Sequence, residues 1–126
     1  MKAFICAVVA LCLLTGGIAW FCMEVDKVCT SLLHDAELLE TMILNEEAVP
    51  AERLISDMQK SWEHHTALFM AFSEHSEINS VTDSLSNMKN HIFFGDFESA
   101  YCSLSVFKHK VSYISDDSKP TLINIF

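Results

Sequence analysis

From Ala3 to Met23 the chain reads "AFICAVVALCLLTGGIAWFCM", with no charged side chain between Lys2 and Glu24. As a helix that run is about 31 Å long, enough to cross a hydrocarbon core of about 30 Å. A secretory signal carries a shorter apolar stretch, roughly 7–15 residues, ahead of a small-x-small cleavage site. The length of the run, and Trp20 placed where an interfacial aromatic belongs, favour a retained transmembrane anchor. Gly17-Ile18-Ala19 supplies a small-x-small site, so cleavage and secretion stand as the alternative. No cysteine follows the small residue of a lipid-attachment site, which argues against lipid anchoring. The sequence thus divides into a segment at 1–23, anchor or signal, and an extracytoplasmic domain at 24–126.

Orientation follows from the flanks. Lys2 precedes the run, whereas Glu24 and Asp26 follow it together with Lys27. Positive charge favours the cytoplasmic side, which places the N-terminus inside and residues 24–126 outside, in a single-pass cell-membrane protein. All 17 Asp and Glu lie beyond the run, against 7 Lys and Arg, a net of −10 for the outer part. Such a surface repels nucleic acid and anionic lipid, so no nucleic-acid partner is expected. The plain reading of the acidity is solubility; the sharper one is an acidic binding face.

The outer part is patterned as helices. It holds a single Gly and both Pro residues, all at plausible breaks, and no alternating strand pattern. Val28, Leu32, Ala36, Leu39 and Ile43 recur every three or four positions, and nothing interrupts the chain between them and the apolar run. The first helix, at about 24–46, therefore continues out of the bilayer as a stalk. "NEEAVPAE" breaks it, and Pro50 suits the first turn of a second helix at about 50–73. That helix carries Leu54, Met58, Trp62, His65, Phe69 and Phe72 on one stripe. A third, at about 76–94, carries Ile78, Val81, Leu85, Met88 and Ile92 and stops at Gly95. The junction at 73–77 reads as either a turn or a kink. Asp96 is the N-cap candidate for a fourth helix at about 96–115, with Phe97, Tyr101, Leu104, Phe107, Val111 and Ile114. Four such stripes are most simply buried in an all-α, antiparallel four-helix bundle, with the apolar tail at 119–126 docked against it.

The polar residues offer little chemistry. "FSEHSEINSV", residues 72–81, gathers His75, Glu77 and Asn79. Residues two apart point about 200° apart on a helix, so His75 and Glu77 converge only on irregular backbone. The repeated Glu-x-x-His of carboxylate-bridged bundles is absent, as are His-Glu-x-x-His and any pair of His at i and i+4. The expected role is a structural junction, in which His75 and Glu77 satisfy backbone groups or tie the turn to the tail, with Asn124 as polar partner. His65 reads as a hydrogen-bonded core residue, and His34 and His109 as exposed. No nucleophile elbow or phosphate-cradling glycine loop appears, so no catalytic residue, metal or cofactor is assigned. Cys6, Cys12 and Cys22 fall in the apolar run. A bridge between Cys29 and Cys102 is open only if the first and last helices are neighbours. Phe93-Phe94 would either pack under the Gly95 turn, one ring reaching the core, or form an exposed patch for a membrane partner.

The motifs carry a resemblance. "HSEINSV" fits a His-x-Glu-Ile-(Asp/Asn)-x-(Ile/Val) pattern at His75, Glu77, Ile78, Asn79 and Val81. Asn124, Ile125 and Phe126 fit a closing Asn-Ile-(Leu/Phe). With the uncharged N-terminal span and Trp62, the chain resembles an uncharacterised family of short, single-span helical proteins from spore-forming and related Gram-positive bacteria. The resemblance covers nearly the whole length. It implies a membrane-anchored helical domain with no assigned chemistry, found beside a small multi-span membrane protein family. Asn79 stands where an acidic residue is common, which weakens a metal site there, and Val49-Pro50 departs from the usual charged-aromatic opening.

The expected function is that of a non-enzymatic accessory or interaction protein, presenting an acidic bundle to a multi-span membrane protein. The alternative is a small-molecule or metal-binding bundle that uses His65, His75 and Glu77.

Overall fold

The computed structural model describes residues 1–71 and 74–118. They form four helices: α1 (Lys2–Leu44), α2 (Ala48–Met70), α3 (His75–Phe93) and α4 (Phe97–Ser118). Each helix packs against its neighbours in sequence, and α4 returns to close against α1. Side-chain ties fix the directions. Gln59 and Trp62 of α2 reach Ser86 and Thr82 of α3, so one helix rises as the other falls. Glu40 and Asp26 of α1 meet Lys108 and Ser115 of α4 in the same opposed order. The architecture is an antiparallel bundle of four helices, and no strand occurs among the described residues.

The bundle draws its core from the three-to-four spacing of apolar residues. Val28, Leu32, Ala36, Leu39 and Ile43 of α1 are buried, as are Ile78, Val81, Leu85, Met88 and Ile92 of α3. Trp62, Phe69 and Phe107 are the largest fully buried side chains. Each large apolar side chain so buried contributes roughly 1.5–3 kcal/mol, the term that opposes the ordering entropy of the chain. Four positions differ from the sequence pattern, Phe97 among them in being only half-buried. Leu54 is half-buried while Ala51 and Ile55 take the core; Tyr101 is exposed while Ala100 is buried; His65 is half-buried, its Nδ1 2.8 Å from the carbonyl oxygen of Ser61 in its own helix. At the start of a helix the period alone does not choose between adjacent residues, and the smaller one enters where the backbones approach.

α1 changes character along its length. Residues 1–20 are exposed, and an 18-residue window there has mean hydropathy 2.4, long and apolar enough to cross a membrane. Burial begins at Phe21 and becomes complete at Val25 without a break in the helix. The chain leaves α1 through a Schellman turn. Glu47 N–H donates to the Met42 carbonyl at 2.9 Å and Glu46 N–H to that of Ile43 at 3.1 Å, with Glu46 at φ +54°. α3 ends in the same motif. Asp96 N–H donates to the His91 carbonyl at 2.8 Å and Gly95 N–H to that of Ile92 at 3.1 Å, with Gly95 at φ +73°. Gly95 is thus the left-handed stop that its position in the sequence predicts, and Glu46 does the same work with a side chain ill suited to it.

Between α2 and α3, Ala71 is still right-handed helical whereas Glu74 is extended, with ψ 142°. The two helices are therefore separate elements, packed antiparallel. Phe72, Ser73 and the tail at 119–126, with Asn124, lie outside the described residues. The expected docking of that tail belongs to them.

Candidate functional site

The bundle has two ends of different character. Taking the exposed segment of α1 as the base, the lower end holds the start of α3 and the end of α4. The upper end holds the turn between α1 and α2 and the turn between α3 and α4.

At the lower end, His75 is the first residue of α3 and is exposed, Glu77 is half-buried in the first turn, Ile78 is in the core, and Asn79 is exposed. Glu77 suits the positive end of the helix dipole. Glu74, at the N-cap, makes no side-chain bond to the helix backbone, and its carboxylate accepts from the Ser76 hydroxyl at 3.5 Å. Glu77 lines a groove of about 250 Å³ between α3 and α4, with Ser76, Ser80, His109, Lys110 and Tyr113. That is below the roughly 300–1,000 Å³ of small-molecule pockets. Lys110 is the organising group. Its Nζ donates to the Ser80 hydroxyl and, at 3.4 Å, to that of Ser84, which is buried and donates in turn to the Ser80 carbonyl. The pair of hydroxyls holds Lys110 across the seam and takes two of its three donors without a carboxylate. The ion pairs among the described residues are Lys108 with Glu40 and His91 with Asp96.

The set His65, His75 and Glu77 is not gathered. Among the described residues no three of His, Cys, Asp and Glu come together in a way that could hold a metal. His65 points back along α2, and His75 and Glu77 diverge by two positions of a regular helix. His34 and His109 are exposed, in keeping with their sequence setting. The Cys29–Cys102 bridge is ruled out by register. α1 and α4 are neighbours, yet Cys29 is buried near the lower end, whereas Cys102 is exposed and faces Ile43 and Leu44 at the upper end. The antiparallel register separates them by roughly 20 Å of helix, against the Cα separation of about 4.4–6.8 Å that a disulfide needs.

The upper end is apolar and acidic. Phe93 and Phe94 are 69% and 79% exposed, meeting edge to face with ring centroids 5.3 Å apart. Neither ring packs into the core. Ile92 takes the last core position of α3, and the next position on that stripe falls in the Gly95 turn, so both rings follow it outward. Leu44 and Val49 are 65% and 67% exposed on the other turn. Between the turns, α1 and α4 enclose a groove of about 440 Å³ lined by Ile43, Leu44, Phe97, Tyr101 and Cys102, with Glu46 and Glu98 at its edge. Asp96 caps α4, accepting from the Ser99 N–H at 3.2 Å. The Ser99 hydroxyl, then its backbone N–H, then His91 hold the Asp96 carboxyl below the ordinary Asp range. No Lys or Arg occurs from Val28 to Glu52 or from Asn90 to Phe107. That charge gap was readable in the sequence, but its meaning needed the fold, which sets two distant stretches on one end.

Compared with known protein families, residues 19–125 match the domain of unknown function DUF4363. The chain belongs to that family. The match opens within two residues of Phe21, where α1 first becomes half-buried. No curated protein and no solved structure matches the chain.

Proposed function

We propose that this DUF4363 protein is a membrane-anchored accessory protein that acts by binding rather than by catalysis, with the bundle outside the cytoplasmic membrane and the N-terminus inside. The observation that carries the reading is the continuity of α1. One unbroken helix of 43 residues is exposed from Lys2 to Trp20 and uncharged from Ala3 to Met23, and it then supplies one wall of a buried core. An exposed apolar surface of that extent is incompatible with water, and lipid is its natural solvent. Because the helix is unbroken, the anchor runs directly into the bundle and holds it at the bilayer surface. The multi-span membrane protein expected as partner meets the chain along the exposed apolar anchor. Purification from native membranes in mild detergent retains such a partner under this reading; a clean monomer without cross-links in cells contradicts it.

A second reading has one observation in its favour. The small-x-small site Gly17-Ile18-Ala19 lies just before Phe21, so cleavage there removes only exposed residues and leaves the buried part of α1 whole. The mature chain would then be secreted. Mass spectrometry of the mature N-terminus separates the two readings.

A further inference from the structure

We infer that the upper end of the bundle is a docking surface for a basic amphipathic segment of a partner protein, one that offers large apolar side chains flanked by Lys or Arg. Its apolar part is the groove with Leu44, Phe97 and Tyr101, together with the exposed rings of Phe93 and Phe94 at the end of α3. Its rim is Glu46, Glu47, Asp96 and Glu98, all exposed, with no Lys or Arg in either turn. An apolar centre within a ring of like charges selects an occupant of the opposite charge, because rim charges set partner choice and encounter rate more than raw affinity. The same ring disfavours a second copy of this chain, since a symmetric contact would face these carboxylates with themselves. Lipid is excluded by distance. Leu44 is 23 residues of continuous helix beyond Phe21, which places the surface about 35 Å along α1 from the point where it leaves its exposed segment. The assignment deepens the anchoring reading and rests on it only for the exclusion of lipid.

Cys102 provides an internal probe, being exposed within the groove and unbonded. The full chain is placed in nanodiscs of zwitterionic lipid, and alkylation of Cys102 is followed by mass spectrometry. Two synthetic helical peptides of equal apolar content are added in turn, one built of Leu and Lys, the other of Leu and Glu. At saturation the Leu–Lys peptide slows alkylation of Cys102 by about tenfold or more, and the Leu–Glu peptide leaves it unchanged. Leu44→Ser/Phe94→Ser abolishes the protection. Glu46→Gln/Glu98→Gln weakens it about tenfold, whereas Glu37→Gln/Glu63→Gln, exposed carboxylates elsewhere on the bundle, leaves it in place. No protection, equal protection by both peptides, or protection that survives Leu44→Ser/Phe94→Ser would overturn the assignment. Slow alkylation without peptide, with dimer cross-links that the same variant removes, would assign the surface to a second copy instead. These outcomes do not depend on which side of the membrane the bundle occupies in cells.

Discussion

The indole N–H of Trp62 donates to the hydroxyl of Thr82 at 2.8 Å, joining the middle of α2 to the middle of α3. The Thr82 hydroxyl in turn donates a hydrogen bond to the Ile78 carbonyl at 3.0 Å, and the Trp62 carbonyl accepts from the Thr66 hydroxyl at 2.8 Å. The ring lies 4.7 Å from that of Phe69 at a tilt of 35°, and no part of it is exposed. A buried tryptophan must satisfy its single donor, and Thr82 is placed to accept it. That bond ties the register of α2 on α3, together with the Gln59–Ser86 contact and the shared core.

Trp62→Phe keeps most of the packing and removes the donor, which lowers stability by about 1 kcal/mol. Trp62→Ala opens a cavity and costs about 3–5 kcal/mol. Thr82→Val is less than additive with Trp62→Phe, because both remove the same bond. Urea titration of the single and double variants measures the coupling; strict additivity would dissociate the bond from the register.

The paired Schellman turns make opposite predictions for one backbone conformation. Gly95→Ala introduces a Cβ at φ +73° where no atom lies within 4 Å, so the penalty is backbone strain alone, about 1–2 kcal/mol. Glu46→Gly relieves the same strain at φ +54° and raises stability by about 1 kcal/mol. Thermal melts of both variants check the pair. Equal signs would contradict the assignment of the two turns to one motif.

Much of the bundle was legible in the sequence because burial followed a period. Ile78, Val81, Leu85, Met88 and Ile92 needed only the spacing, and Gly95 and Asp96 needed only their residue type. What escaped the pattern was decided by contact between elements. Ala51 and Ala100 enter the core because small residues allow close backbone approach there, and Lys110 is drawn across a seam by hydroxyls three helical turns from the end of α3 that bears Phe93. The outward turn of Phe93 and Phe94 had a signal, since Ile92 already closed the stripe. The acidic upper end had none within either stretch alone.

Two carboxylates respond to pH in opposite senses. Burial raises the Asp35 carboxyl above its ordinary value, against the pull of His34 and with the push of Asp57 across α1 and α2. A carboxyl raised in the folded state weakens stability once it ionises, so Asp35→Asn raises Tm at neutral pH, and the gain fades as pH falls through the raised folded value and is gone below the ordinary Asp value. Asp96, held low, stabilises the fold above its unfolded value and loses that contribution as pH falls through its folded value. Asp96→Asn therefore lowers Tm at neutral pH and approaches wild type in acid. Melts of both variants across that range give the signs directly.

The proposed placement of the bundle is tested by labelling Cys102 in intact cells with a membrane-impermeant maleimide, with Cys102→Ser as the control. Cys102 is exposed, Cys6, Cys12 and the half-buried Cys22 lie in the apolar run, and Cys29 is buried, which makes Cys102 the principal outward thiol. The account predicts labelling at Cys102 before permeabilisation, on a protein that stays with the membrane after an alkaline wash. Labelling that appears only after the membrane is opened, or a labelled chain released into the medium, would contradict it.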